Sequence, residues 1–467
     1  MGRKKLPAYE AVTIQDIAAE GKSLVRIDDM VVFVKGAIPG DVVDLQVIRK
    51  RKSYREAVVT RYIKYSELRT DPFCEHFGTC GGCKWQHLPY SEQLKYKEKQ
   101  VIDALTRIGK IEIGKLDPIA GAEHTEFYRN KLEYTFSNHR WLTDEETSSD
   151  VIHEHRNALG FHVPGRFDRI VDVTKCYLQN DPSNAIRNLV RDFALKNNLT
   201  FYDHKSNEGL LRNLIIRNTS LDEWMVILSV QHDQPEVYAM LEEIHKNIEG
   251  ITSLMYVINE KKNETLYDQD ILVYKGRDHI IEELDGLKFK IGPKSFFQTN
   301  TQQARELYRT TQDFAALEGK EIVYDLYTGT GTIAIYLAAQ AKKVIGIESV
   351  PEAIEDAKIN ADFNGIENTE FHAGDMKSVF TGEFINANGN PDVIICDPPR
   401  AGMHEDVVKE ILRVEAEKIV YVSCNPATQA RDVKLLAEKY SARRSRAFDM
   451  FPHTHHIENI LLLEKNA

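Results

Sequence analysis

A cysteine stands at the end of a strand-like run in this chain: Ile419-Val420-Tyr421-Val422 leads directly into Ser423-Cys424-Asn425-Pro426. A thiol delivered there is held by a rigid element yet stays reachable, which suits a nucleophile. Two further runs of strand type end in groups with chemical use, Asp325-Leu326-Tyr327-Thr328-Gly329-Thr330-Gly331-Thr332 and Asp397-Pro398-Pro399-Arg400. In an open parallel α/β sheet, ligands bind beyond the carboxyl ends of the strands, so these three ends share one rim. The glycine loop lets backbone approach a ligand at a helix N-terminus, and Ala334 to Ala339 reads as that helix. Glu348 ends the next apolar run about 20 residues further on, where a ribose-binding carboxylate sits. The spacing implies a bound adenosine but does not separate a nicotinamide dinucleotide from S-adenosyl-L-methionine.

The six cysteines give a second signal. Cys74, Cys80 and Cys83 cluster around Gly78, Gly81 and Gly82, Cys176 stands alone, and Cys396 and Cys424 belong to the rim. In a cytosolic chain, clustered thiols bind metal more readily than they form disulfides. Cys176 is the best candidate for a fourth ligand, and four thiolates suit zinc or a 4Fe–4S cluster. Near the end of the chain, Glu458 opens the apolar run Ile460 to Leu463. A carboxylate beside the rim can act as a general base, although a strand-end glutamate is more often plain surface. His453, His455 and His456 lack a matching carboxylate cluster, so no catalytic zinc is expected there.

These groups need elements to position them, and 467 residues, 42% apolar and 28% charged, are enough for two or three cores. No stretch of 18 apolar residues occurs, and no apolar segment follows the basic Arg3-Lys4-Lys5, so a cytoplasmic chain without a secretory leader is expected. The net charge of −11 argues against indiscriminate polyanion binding, but it hides an asymmetry. Residues 1–70 carry 14 Lys and Arg against 9 Asp and Glu, the rest 46 against 62. Much of the basic share lies in Arg49-Lys50-Arg51-Lys52-Ser53-Tyr54-Arg55, between short alternating runs typical of a small β-barrel. Such a barrel presents a basic face to nucleic acid, with Tyr54 and Tyr62 as stacking surfaces, unless the run is only a solvated hairpin tip. The segment from about 120 to 290 reads as a central antiparallel sheet, with strands such as 132–136, 225–230 and 271–274. Helical periodicity marks 91–108 and 181–197.

The turn Asp397-Pro398-Pro399-Arg400-Ala401-Gly402, the segment Val422 to Thr428, and the pattern Pro452-His453-Thr454-x-His456-x-Glu458 together resemble the RNA uracil-5-methyltransferase family. The likeness extends through Ser295-Phe296-Phe297-Gln298-Thr299-Asn300, the glycine loop and the cysteine cluster to an N-terminal stretch similar to a TRAM domain, nearly the whole chain. It implies an α/β fold with a Rossmann-like class I S-adenosylmethionine methyltransferase domain at the C-terminus. The expected division is a TRAM-like, OB-like β-barrel over 1–66, a β-rich central domain over 67–292 and the catalytic domain over 293–467. A helix near 91–110 is expected to pack on the last.

By the same resemblance Cys424 is the nucleophile and Glu458 the base. Gln298, Tyr327, Gly329, Gly331, Thr332, Glu348, Asp375 and Asp397 hold S-adenosyl-L-methionine, and Cys74, Cys80, Cys83 and Cys176 hold a 4Fe–4S cluster, with zinc the alternative. Thr328 and Thr332 depart from the Cys and Asn of some relatives. The implied substrate is 23S rRNA, at a uridine of the 1939 type, with tRNA or another rRNA uridine as alternatives. Tyr128-Arg129-Asn130-Lys131 is a candidate for phosphate contacts. A nicotinamide-dependent dehydrogenase would use the same glycine loop and Glu348, and a plain RNA-binding protein only the barrel and cluster; neither accounts for Cys424 beside Asp397-Pro398-Pro399. An N-methyltransferase would need no cysteine.

Overall fold

The computed structural model describes residues 6–148 and 156–466; the basic Arg3-Lys4-Lys5 lies outside them. The N-terminal part is a six-stranded sheet of β1 (Ala8–Thr13), β2 (Asp16–Ile17), β3 (Ser23–Ile27), β4 (Met30–Lys35), β5 (Val42–Lys50) and β6 (Tyr54–Lys64), ordered β1-β5-β6-β4-β3-β2. In β5 the period of two sends Val43, Leu45 and Val47 inward against Val25, Val32, Val34 and Ala57. The cysteine-bearing segment follows, then α1 (Tyr90–Asp103), which runs on as a π-helical turn over Ala104–Ile108. Gln93, Lys97 and Val101 of α1 are buried at helical spacing.

The central sheet holds β8 (Lys131–Ser137), β9 (Ala158–His162), β10 (Ile170–Asp172), β11 (Leu211–Asn218), β12 (Trp224–Val230), β13 (Ile251–Ile258) and β14 (Ile271–Gly276). It is not wholly antiparallel as the sequence implied. β12 and β13 pair in parallel, because α4 (Pro235–Asn247) carries the chain back along the sheet between them. α4 and α3 (Ser183–Lys196) bury Ile186, Val190, Val237 and Leu241 in the core of this sheet. A short helix, α2 (Asp144–Ser148), and a hairpin of β15 (Ile280–Leu284) and β16 (Leu287–Ile291) complete this part.

The third sheet has eight strands in the order β19-β18-β17-β20-β21-β23-β22-β7. Five neighbouring strands pair in parallel: β17 (Ile322–Leu326), β18 (Lys343–Glu348), β19 (Thr369–Ala373), β20 (Val393–Cys396) and β21 (Lys418–Ser423). β23 (Glu458–Lys465) inserts antiparallel between β21 and β22 (Tyr440–Phe448). β7 (Lys115–Ala120), far away in sequence, pairs with β22 at the edge, and both run in the same direction as those five. Buried on both faces, β20 reads as an unbroken apolar run. The helices are α5 (Thr301–Ala315), α6 (Thr332–Ala338), α7 (Pro351–Phe363), α8 (Met376–Val379), α9 (Gly382–Asn388), α10 (Glu405–Val414) and α11 (Pro426–Leu436). Strand order reverses between β17 and β20, and that is where an open α/β sheet opens a crevice for ligands.

Candidate active site

The loop after β17 is built to leave donors and carboxylates facing the crevice. Tyr327 turns the chain at φ +67° while its N–H donates to the Ile347 carbonyl at 2.9 Å. Gly331, at φ +77°, begins α6 where a Cβ would lie 2.9 Å from Ala357 Cβ, so only glycine fits. Thr332 follows as the first residue of α6, its hydroxyl 3.3 Å from that of Thr330. Gly329 N–H donates to Glu348 Oε2 at 3.2 Å, and Oε1 accepts from the Ser349 and Val350 N–H groups at 2.7 and 3.0 Å. Those contacts fix the Glu348 carboxylate beside the loop at the end of β18. Asp375 is exposed and caps α8, accepting from Lys377 N–H at 3.2 Å. Gln298 lies just before α5, its carbonyl accepting from Asn130 Nδ2 at 2.9 Å. Thr330 Oγ donates to the Phe296 carbonyl at 3.4 Å, which ties the Phe-Phe-Gln segment to the glycine loop.

Asp325, the last acidic group inside β17, was given no role by the sequence. Its Oδ2 accepts from Thr328 Oγ at 2.5 Å, whereas its buried Oδ1 has no hydrogen-bond partner among the described residues. Burial pushes its pKa up to about 7. The Ala334 N–H also acts on this carboxylate but makes no well-formed bond to Oδ1, which leaves that oxygen able to accept from a ligand. The buried Asp325 carboxylate and Glu348 fit the amine and ribose hydroxyls of S-adenosyl-L-methionine.

Cys424 sits where β21 gives way to α11. Asn425 caps the helix, accepting from Ala427 N–H at 3.2 Å, and its own N–H donates to Ser423 Oγ at 3.1 Å. The same cap fastens the neighbouring turn, because Asn425 Nδ2 and Thr428 Oγ both donate to the Arg400 carbonyl, at 3.0 and 3.2 Å. Asp397, at the end of β20, and Glu458, 7% exposed at the start of β23, share the surroundings of Cys424. Burial, then the Glu458 and Asp397 charges, push the thiol up to about 11, and Arg400 opposes them. Burial and Asp325 raise Asp397 to about 7. Burial, then Asp397, raises Glu458 well above the ordinary carboxylate range, again against Arg400. Arg400 is thus the cation of the site, 3.0 Å by Nη2 from His456 Nδ1. It stands inside the quoted Asp-Pro-Pro-Arg motif, but its orientation depends on His456, 56 residues away.

The loop that presents Glu458 is held from below by α1. Lys97 Nζ donates to Asp449 Oδ1 at 2.5 Å and to the Phe451 carbonyl at 3.1 Å, with both charged side chains fully buried. Gln93 Oε1 accepts from His453 N–H at 2.9 Å. Burial lowers His453, His455 and His456 to about 4, 3 and 4, so all three are neutral near pH 7.

Cys74, Cys80, Cys83 and Cys176 line one small cavity, also bounded by Phe77, Phe161 and Leu178, and none forms a disulfide. Asn184, near the start of α3, fixes Cys176 by accepting its N–H at 2.8 Å. Burial pushes Cys80 and Cys83 up to about 12, and neighbouring thiols add to the rise. The arrangement is open: among the described residues no three His, Cys, Asp or Glu side chains close on one metal position. Four facing thiols remain a donor set of the right chemistry for zinc or iron.

The expected RNA contacts fall unevenly. Tyr62 stacks on Tyr65 at 4.9 Å between ring centroids, while Tyr54 meets Phe33 edge-on at 5.4 Å. Tyr128 is buried with its hydroxyl on the Pro452 carbonyl at 3.0 Å, and Asn130 braces the start of α5 through Thr301 Oγ at 2.9 Å. Arg129 lies over the Phe451 ring, 5.3 Å from its centroid, and Lys131 is 3.7 Å from Glu133. Arg129, with Asn130, lines a polar cavity of about 440 Å³ between the central sheet and α5.

A mixed sheet with a glycine loop, a strand-end glutamate and an Asp-Pro-Pro turn at its switch point defines an S-adenosylmethionine-dependent methyltransferase of the α/β class. A family profile described as tRNA (uracil-5-)-methyltransferase matches residues 257–466. An uncharacterized RNA methyltransferase of Bacteroides thetaiotaomicron is 56% identical over 96% of this chain and 100% of its own. Another, of Porphyromonas gingivalis, is 53% identical over 97% and 99%. The crystal structure of Pyrococcus abyssi tRNA (uracil-54, C5)-methyltransferase with S-adenosyl-L-homocysteine superposes with a TM-score of 0.74, at 29% identity over 97% of this chain and 100% of that one. The chain belongs to the RNA uracil-5-methyltransferase family.

Proposed function

We propose that this chain methylates carbon 5 of a uridine in 23S rRNA, with Cys424 as nucleophile and Glu458 as base. The observation that carries the reading is the shared rim: a thiol at the end of β21 meets Asp397, Glu458 and Arg400 beside the loop fitted to the cofactor. Carbon 5 of uracil is a poor nucleophile. Cys424 Sγ, its proton passed to solvent, adds to carbon 6, and the π pair moves toward the carbonyl oxygen on carbon 4, which leaves carbon 5 electron-rich. S-adenosyl-L-methionine, which Gln298, Tyr327, Gly329, Gly331, Thr332, Glu348, Asp375 and Asp397 would hold, supplies the electrophilic methyl group and leaves as S-adenosyl-L-homocysteine when carbon 5 breaks its S–CH3 bond. Glu458 takes the carbon 5 proton, the ring double bond returns, and Cys424 departs. Arg400 stabilises the thiolate on entry and departure. A carboxylate with a raised pKa is the stronger base once ionised, which suits abstraction of a carbon-bound proton.

The uridine must leave its stack to reach Cys424, at a cost of about a few kcal/mol. The basic N-terminal sheet, read as a TRAM-like domain over 1–66, and the central domain over 67–292 hold RNA against that cost for the catalytic domain over 293–467. A second reading, tRNA, draws support from the likeness to the Pyrococcus abyssi tRNA enzyme, which extends over 97% of the chain and so includes the N-terminal sheet. Cys74, Cys80, Cys83 and Cys176 would carry a 4Fe–4S cluster, or zinc, tying the cysteine loop to the central sheet. The setting is cytoplasmic; no helix among the described residues is long and apolar enough to cross a membrane.

Incubation with S-adenosyl-L-methionine and 5-fluorouracil-substituted total RNA tests the reading, since fluorine blocks the final proton removal. A Cys424 adduct carrying an rRNA fragment is expected. A tRNA fragment would move the substrate to the second reading, and no adduct would end the mechanism. Anaerobically purified protein should hold iron with visible charge-transfer absorbance; zinc instead would change the metal, and neither would remove it.

A further inference from the structure

The N-terminal sheet touches the catalytic loop directly. A Cβ on Gly21 would lie 3.0 Å from His455 Cβ and 3.3 Å from Trp85 Nε1, and the Lys84 and Trp85 N–H groups donate to the His453 carbonyl at 2.8 and 3.0 Å. Three lysines gather at this seam. Ser23 pairs with Val34 across β3 and β4, so Lys22 and Lys35 stand as neighbours at the ends of those strands, with Lys84 beside them. On the catalytic side, His455 and His456 pack ring to ring at 4.2 Å, and His456 meets Arg400, whose charge faces Cys424. The two histidines are neutral, and the cations around them are Lys84 and Arg400, with Arg129 further off and Lys97 already paired with Asp449. Against them stand Glu20, 2.8 Å from Lys22, Glu56 further off, and Glu458 beside Arg400. Exposed Lys84 has no ion-pair partner within 4.0 Å among the described residues; its pKa is lowered by desolvation and then, against Glu20, by Lys35 and Lys22.

Like charges held together with too few carboxylates between them are unfavourable until a polyanion lies across them. We propose that Lys22, Lys35, Lys84 and Arg400 form a continuous phosphate track that carries the substrate RNA backbone from the N-terminal sheet to Cys424. The proposal rests on the RNA-methyltransferase reading and adds the path the strand takes. The track explains why a small basic domain is docked on the catalytic loop itself: a strand held there arrives at the thiol in a fixed register. Phosphate contacts fix position and carry no sequence information, so the track sets which nucleotide reaches Cys424 by its distance along the strand.

Each phosphate contact in a single strand contributes about 0.7 to the slope of log affinity against log salt. The test compares wild-type protein with the triple variants Lys22→Gln/Lys35→Gln/Lys84→Gln and Lys22→Arg/Lys35→Arg/Lys84→Arg. Affinity for the RNA fragment trapped on Cys424 is measured over a salt series, and calorimetry of S-adenosyl-L-methionine binding checks the fold. The Gln triple should lose about 2 from the slope, with unchanged cofactor affinity, and the Arg triple should keep the wild-type slope. A Gln triple with the wild-type slope, or an Arg triple that loses as much as the Gln triple, overturns the track while leaving the function standing. Wild-type protein that forms no adduct removes the functional reading itself, and the track with it.

Discussion

At the catalytic rim Cys424 shares its surroundings with Asp397, Glu458 and Arg400, whereas Cys74, Cys80, Cys83 and Cys176 face one another in a small, largely apolar cavity. Burial raises thiol pKa values in both places, to about 11 at Cys424 and about 12 at Cys80 and Cys83. The difference lies in what opposes burial. Arg400 acts on Cys424, and no cation is among the groups acting on Cys80 or Cys83, although Arg187 and Arg129 act on Cys176. A thiol beside groups that gain and lose protons can be charged and discharged in a reaction cycle; thiols beside thiols stay neutral until a bound cation draws off their protons. Residue type alone makes neither a nucleophile nor a ligand.

If the two settings differ in this way, substitutions should separate them. Cys424→Ala should abolish methylation while calorimetry still shows S-adenosyl-L-methionine binding; measurable turnover would erase the distinction. Glu458→Gln keeps the shape of the rim and removes its base, so turnover should fall by roughly 10²–10⁴-fold in a radiolabelled methyl-transfer assay. Cys176→Ser belongs to the other setting. It should empty the metal from purified protein and lower the thermal midpoint by several degrees, with cofactor affinity unchanged. Metal retained at the wild-type level would take Cys176 out of the ligand set.

The smallest effect concerns Asp325. Its folded pKa of about 7 lies above the ordinary 3.8, so the folded state binds a proton that the unfolded state releases. That preference is fully present below about pH 4 and is lost as pH rises through about 7, which makes the ionised carboxylate a cost at alkaline pH. Asp325→Asn should therefore stabilise cofactor-free protein, more at about pH 8 than at about pH 5, in urea unfolding curves. An equal gain at both pH values would mean that the carboxylate is not held neutral in the fold.

Much of the rim was legible because strand ends announce themselves locally. Apolar runs broken by Gly329, Asp397 or Cys424 fix where β17, β20 and β21 stop. Amphipathic spacing likewise placed helices near α1 and α3. Contacts between distant segments were not legible. Nothing local in Ile251–Ile258 says that it pairs parallel to β12, since that follows from the crossover through α4. Nothing in Lys115–Ala120 says that it closes the sheet beside β22. Cys176 could be named from its type, but its approach to Cys80 and Cys83 depends on how the segment after β10 meets the cysteine loop. Arg400 and Asp325 were written in the quoted motifs, yet their importance comes from a neighbour in the loop before β23 and from a buried oxygen with no well-formed bond.

The central claim is that Cys424 and Glu458 act in sequence on one covalent intermediate. Glu458→Gln protein incubated with unsubstituted RNA and S-adenosyl-L-methionine, digested with nuclease and weighed intact by mass spectrometry, tests it most directly. The account predicts a stable adduct of protein with a methylated uridine fragment, absent from the Cys424→Ala/Glu458→Gln double variant. No adduct in the single variant, or an adduct that survives loss of Cys424, would contradict it.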